Sequence, residues 1–123
     1  MLNTSVIRLL DEPQLWLDEK AQWLGLSRSE MGATLIEEAR RQEEFPGIGF
    51  RDADFGREAY LPLYDIDVRW IMVMLVGWDM DVDQTADDLD VPREAIELAV
   101  RYEESFGYEV VLQKSPQVRA AGN

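Results

Sequence analysis

A chain of 123 residues with 46% hydrophobic and 30% charged residues has a globular composition, and its length allows one domain or two very small ones. It contains no Cys and no His, which removes disulfides, thiolate chemistry, the commonest general base and the commonest metal ligand. A formal net charge of −13 opposes nucleic acid, whose affinity rests on Lys and Arg displacing counterions from phosphates, and suits a basic protein partner.

The first element is a short β-prone run, Ser5-Val6-Ile7-Arg8-Leu9-Leu10, ended by Asp11-Glu12-Pro13. Leu15, Trp16, Leu17, Ala21 and Leu24 then fall on a helical stripe, and Gly25 sits where a helix C-cap belongs. Ser27-Arg28-Ser29-Glu30 matches a capping box, in which the Ser hydroxyl accepts from the third amide and the Glu reaches back. The helix it opens carries Met31, Leu35 and Ala39, with Ile36 alongside, to about Gln42. A segment of about 45 residues in the order strand, helix, helix is too small to bury its apolar surface alone. Its strand also leaves N–H and C=O groups without partners. The simplest solution is a second copy, with antiparallel strands, interlocked helices and Ser5, Ile7, Leu9 and Leu35 at the interface.

Arg8-Leu9, Leu17, Ala21, Gly25 and Ser27–Glu30 together resemble the ribbon-helix-helix pattern of Arc- and CopG-like repressors and many antitoxins, over roughly the first third of the chain. That resemblance implies that Thr4, Val6 and Arg8 face the DNA major groove and that Ser27, Arg28 and Ser29 hold a phosphate at a helix N-terminus. Arg8 suits the role, since a guanidinium reads guanine bidentately. Val6 departs from the pattern, offering only a methyl contact where family members usually carry a polar side chain. The plainer reading of the same residues is a dimerising strand at 4–10 and a helix cap at Ser27.

Ile48–Arg51 and Arg57–Leu61 read as a hairpin around Asp52-Ala53-Asp54-Phe55-Gly56. Within it, Asp54-Phe55-Gly56 is a turn, since no glycine-rich or catalytic loop accompanies it to make a kinase magnesium motif. Val68–Val76 is apolar nearly all round and predicts a central buried helix, capped by Asp67 and stopped near Gly77, with Trp70, Ile71, Met74 and Leu75 in the core. Asp81-Val82-Asp83-Gln84 opens a short helix through Leu89, Asp90 takes a left-handed turn position, and Pro92 starts a last helix ending near Phe106-Gly107. Ala86, Leu89, Val91, Ile96 and Ala99 are spaced as in a helix-turn-helix. With Phe45-Pro46-Gly47-Ile48, Gly56-Arg57, Asp65–Asp67 and the Ala86 to Tyr102 spacing, residues 46–110 resemble the domain-of-unknown-function family 433. This resemblance implies a homeodomain-like three-helix fold of VapB-type antitoxin kind. The last helix would show Glu94, Glu97, Glu103 and Glu104 outward against Arg93 and Arg101, which makes it architecture or a protein-binding face rather than a DNA reader. Asp79, Asp81, Asp83, Asp87 and Asp90 have calcium-loop spacing, but Gln84 replaces the required glycine, so a solvated acidic turn is expected.

These readings predict a mainly α protein with a short N-terminal strand and a β-hairpin. It would divide into a ribbon-helix-helix-like dimerisation segment at 1–45, a hairpin plus three-helix domain at 46–110 and a flexible tail at 111–123. The expected function is non-enzymatic, with no cofactor and no metal. An antitoxin-like or regulator-like homodimer in the cytoplasm would bind a toxin or other basic protein, with DNA disfavoured by charge and no membrane. The alternative is a structural or adaptor dimer with no DNA role. No apolar run approaches the ~18 residues of a membrane helix, and the N-terminus lacks the pattern of a signal peptide.

Overall fold

The computed structural model describes residues 4–107, which form five α-helices and a small antiparallel sheet; the tail at 111–123 lies outside them. Helix α1, Asp11–Leu24, has Asp11 and Glu12 in its first turn, where carboxylates complement the helix dipole. It closes on Gly25 at φ 72°, with the Leu26 N–H donating to the Ala21 carbonyl in a Schellman-type turn. Helix α2, Arg28–Glu44, opens on the expected capping box: the Ser27 hydroxyl accepts from the Glu30 N–H and the Glu30 carboxylate accepts from the Ser27 N–H, both at 3.0 Å. Leu17, Ala21 and Leu24 pack with Met31 and with the half-buried Leu26 and Leu35 into a first apolar cluster.

This stripe is narrower than the sequence suggests. Leu15 and Trp16 are exposed, because the spacing of Leu17, Ala21 and Leu24 already occupies the inner face of α1. Ala39 and Ile36 also face outward on α2. The buried face of α2 runs instead through Met31, Thr34 and Glu38, keeping the helical period while changing from apolar to charged along its length.

Strands β1, Gly49–Ala53, and β2, Gly56–Leu61, form an antiparallel hairpin whose turn is only Asp54-Phe55. A third strand, β3, Ile66–Asp67, adds to β2 through Leu61 and was not foreseen, being two residues long. A side chain at Gly49 would meet the Pro62 ring at 2.7 Å, so this position is confined to glycine by close approach.

Helix α3, Val68–Gly77, starts on Asp67, whose carboxylate accepts from the Trp70 N–H at 2.9 Å. Helix α4, Val82–Leu89, is capped in the same way by Asp81 and ends on Asp90 at φ 56°, ψ 47°. Helix α5, Arg93–Phe106, follows Pro92, which stands at the cap one residue ahead of the first helical position. Between α3 and α4, Asp79 and Met80 are both left-handed, a conformation that costs roughly 1–2 kcal/mol per non-glycine residue. Small residues at Ala86, Ala95 and Ala99 are buried, which lets the helices approach closely. The second and larger core combines Ile48, just ahead of the hairpin, and Leu61 of β2 with Val68, Ile71, Leu75, Ala86, Ile96 and Tyr102 from three helices. Among the described residues no helix is long and apolar enough to cross a membrane.

One core assignment needs correction. Ile71 and Leu75 are fully buried, but Trp70 is 48% exposed and Met74 is only half-buried. Neighbours cover one side of α3, and Val68, Ile71, Met72 and Leu75 occupy it. Leu75→Ala should therefore cost about 2–5 kcal/mol in urea melts, while Trp70→Ala, on the open side, should stay well below it.

Candidate functional site

The N-terminal residues implicated in DNA contact and dimerisation do not form a strand in the single chain. Thr4 to Leu10 are all exposed and lack regular structure, with Val6 91% accessible. The physical reason is that β-structure needs a partner ladder, and the sheet at 49–67 is built without this segment. Thr4, Val6 and Arg8, and with them Ser5, Ile7 and Leu9, thus lie on an exposed arm without regular structure ahead of α1. Trp16 and Trp23 on α1 and Ile36 on α2 add further exposed apolar surface. Leu35, placed at the dimer interface from sequence, is half-buried against the chain's own first cluster.

Ser27, Arg28 and Ser29 do come together at the N-terminus of α2, but two of them are already engaged. The Ser27 hydroxyl and amide are used by the capping box, which also holds the Glu30 carboxylate at this helix end. The Arg28 fork turns back onto Asp18 of α1, with Nε and Nη2 donating at 2.7 and 2.8 Å. That pairing holds the Asp18 carboxyl below its ordinary range and raises Arg28. Ser29 is exposed. A phosphate arriving here would meet a carboxylate and a guanidinium that has a partner.

The strongest ionic constellation was not singled out from sequence. Glu38 of α2 and Arg57 of β2 form a bidentate pair at 2.8 and 2.6 Å, with side chains only 6% and 7% exposed. Arg57 also donates to Asp52 at 2.7 Å, and Asp52 accepts from Lys20 of α1 at 2.9 Å. Burial works against the Arg57 charge, yet the Glu38 and Asp52 carboxylates outweigh it and raise the guanidinium above its ordinary value. Nearby, Arg41 donates to the Tyr102 hydroxyl at 2.9 Å, pairs with Glu37 and lies over the Phe106 ring at 4.0 Å. Arg40 and Arg41 hold the Glu37 carboxyl at about 2. These contacts join α1 and α2 to the hairpin and α5. Glu38 falls seven residues after Met31 on the helical period, the one sequence signal that it faces inward.

On the side of α4 and α5, Glu94, Glu97, Arg101 and Glu104 line a shallow concavity with Val82 and Val100. Its remaining cation, Arg93, is taken by Asp83 and Glu97. The acidic calcium-spaced residues are dispersed by α4: Asp81 caps it, Asp83 leaves for Arg93 and Asp90 ends it. No group of three or more potential metal ligands occurs among the described residues. No protein-family model, curated protein or solved structure matches the chain.

Removing one partner of a buried pair strands the other's charge, so Glu38→Ala should destabilise the protein by about 3–5 kcal/mol in urea melts. Glu38→Leu combined with Arg57→Met should recover most of that loss. A Glu38→Ala cost within the ~0.5 kcal/mol of an ordinary surface change would contradict this assignment.

Proposed function

We propose that the chain is an antitoxin-like or transcriptional-regulator-like protein that dimerises through its N-terminal arm and binds a basic protein partner, with DNA contact weak. The observation that carries this reading is the exposed arm itself: Val6, Ile7, Leu9 and Leu10 are all open to solvent, directly ahead of a helical pair. Exposed apolar residues beside unpaired backbone groups favour a second strand, and an antiparallel copy of the same arm would supply one. Ser5, Ile7 and Leu9 would line the ribbon, with Leu35 beneath it. The sequence resemblances to ribbon-helix-helix proteins and to the family 433 domain point the same way, as does the antiparallel hairpin with three helices behind it. A reducing cytoplasm would suit a chain without Cys.

A second reading, a structural or adaptor dimer with no DNA role, is favoured by the pairing of Arg28 with Asp18 and by Glu30 at the end of α2. Both features weaken a phosphate site.

Two experiments separate these readings. In light scattering at micromolar concentration the wild type should be a dimer, and Ile7→Pro, which removes a ladder hydrogen bond, should dissociate it. A strictly monomeric wild type would end the dimer. In fluorescence anisotropy at physiological salt, the isolated protein should bind its own upstream DNA weakly and lose that binding as salt rises. A neighbouring basic gene product, or several dimers on repeated sites, should strengthen it. Nanomolar binding by the isolated dimer, abolished by Arg8→Ala, would make this a conventional repressor; no binding in either condition would favour the adaptor.

A further inference from the structure

Helix α3 carries apolar side chains on both of its faces, and only one of them is covered. Val68, Ile71, Met72 and Leu75 are buried, whereas Trp70, Val73 and Val76 are 48%, 51% and 67% exposed. These three residues recur at intervals of three along the helix, so they form one ridge rather than scattered contacts. Gly77 carries no side chain at its end and has no atom within 4 Å of where a Cβ would stand. Beyond it, Trp78 and Met80 extend the exposed apolar run, with Met80 held in a left-handed conformation. Two tryptophans and two valines left in water on and just after one ten-residue helix exceed the single apolar residues that ordinary surfaces show.

The charges around the ridge select what can lie on it. From Asp65 to Asp83 the chain has five carboxylates, Asp65, Asp67, Asp79, Asp81 and Asp83, and one cation, Arg69. Asp65 and Asp67 lie before the first turn of α3 and the other three after its last; Asp65 pairs with Arg51 and Asp83 with Arg93, so Asp67 at one end and Asp79 and Asp81 at the other stand outside those pairs. Arg69 is drawn aside over the Phe55 ring at 5.1 Å. A second copy of α3 crossing this ridge would bring carboxylate ends against carboxylate ends, and its only cation is placed over its own Phe55. A helix with an apolar stripe flanked by Lys and Arg meets the opposite situation: it buries the tryptophans centrally and sets cations against both acidic ends.

We propose that the Trp70-Val73-Val76 face of α3 is the docking surface for a basic amphipathic helix of a partner protein. This deepens the partner-binding reading above and rests on it, but it does not require the N-terminal arm to pair. The ridge and the arm share no residues, so a dimer paired through its arms would carry one such ridge on each chain.

The test uses the full chain and a labelled amphipathic Lys/Leu helical peptide as the probe. A Glu/Leu peptide of the same pattern serves as its control. By anisotropy the Lys/Leu peptide should bind the wild type at least tenfold more tightly than it binds Trp70→Ser/Val73→Ser/Val76→Ser, and the Glu/Leu peptide should not bind. The changed residues are exposed, so the variant should melt like the wild type; the single Trp70→Ser replaces it should the triple variant melt early. Equal binding to wild type and variant would mean that charge alone attracts the peptide, and would overturn the proposal. Failure of the Lys/Leu peptide to bind the wild type would overturn it as well. Masses measured by light scattering on the same samples keep the two readings apart. A variant that falls from dimer to monomer would make a second copy the occupant of α3 and overturn the proposal. A monomeric wild type that still binds the peptide, and loses it in the variant, would end the arm-paired dimer while supporting this surface.

Discussion

The buried Glu38–Arg57 pair is the interaction on which the arrangement of the chain depends. Taking two charges out of water costs several kcal/mol per ion, and only good geometry with further hydrogen bonds offsets that. Here the guanidinium fork meets Glu38 with two bonds and uses a third nitrogen for Asp52, which is itself held by Lys20. Because the fork is planar and directional, it fixes the rotation of α2 against the hairpin more tightly than apolar contacts would. Helix α2 thereby serves two cores, with Met31 in the small cluster against α1 and Glu38 and Arg41 against the sheet and α5. No buried polar side-chain atom among the described residues lacks a partner, which is the condition under which such a network specifies one structure.

The same economy of cations shapes the surface. Lys20, Arg28, Arg40, Arg41, Arg51, Arg57 and Arg93 all pair with carboxylates within the chain, and Arg69 lies over Phe55. Among the described residues few cations are left outside these pairs, while carboxylates remain unmatched along α4 and α5. The field a ligand meets is therefore more uniformly acidic than a chain with twelve basic residues would suggest. For DNA this is doubly unfavourable, since Ser27 and Arg28 are engaged and the carboxylates beside them repel phosphate. For a basic protein the same field speeds encounter and excludes like-charged competitors.

Among the apolar surfaces that interrupt this acidic shell are the N-terminal arm and the outer ridge of α3. They differ in backbone. The arm has no regular structure, so its peptide groups could join a ladder, whereas the backbone of α3 is bonded within the helix and that face offers side chains. On the reading proposed above, a second copy pairs with the first and a foreign helix lies on the second.

What was legible in the sequence is what a few neighbouring residues decide among themselves. The Gly25 stop, the Ser27–Glu30 box, the Asp67 and Asp81 caps, the left-handed Asp90 and the Gly107 end each rest on bonds spanning three to five positions, and each was readable locally. The tertiary structure decided the rest. Glu38 finds Arg57 nineteen residues away and Arg41 finds Tyr102 sixty-one away, so periodicity could place Glu38 on an inner face without naming its partner. Arg28, readable as a phosphate contact, is claimed by Asp18 ten residues earlier. Trp70 looked like core because α3 is apolar on every side, and only the packing of its neighbours shows which side they cover. The candidate strand at 4–10 lies at the far end of this scale: its sequence encodes β-propensity, but a ladder requires a second strand, and among the described residues none pairs with it.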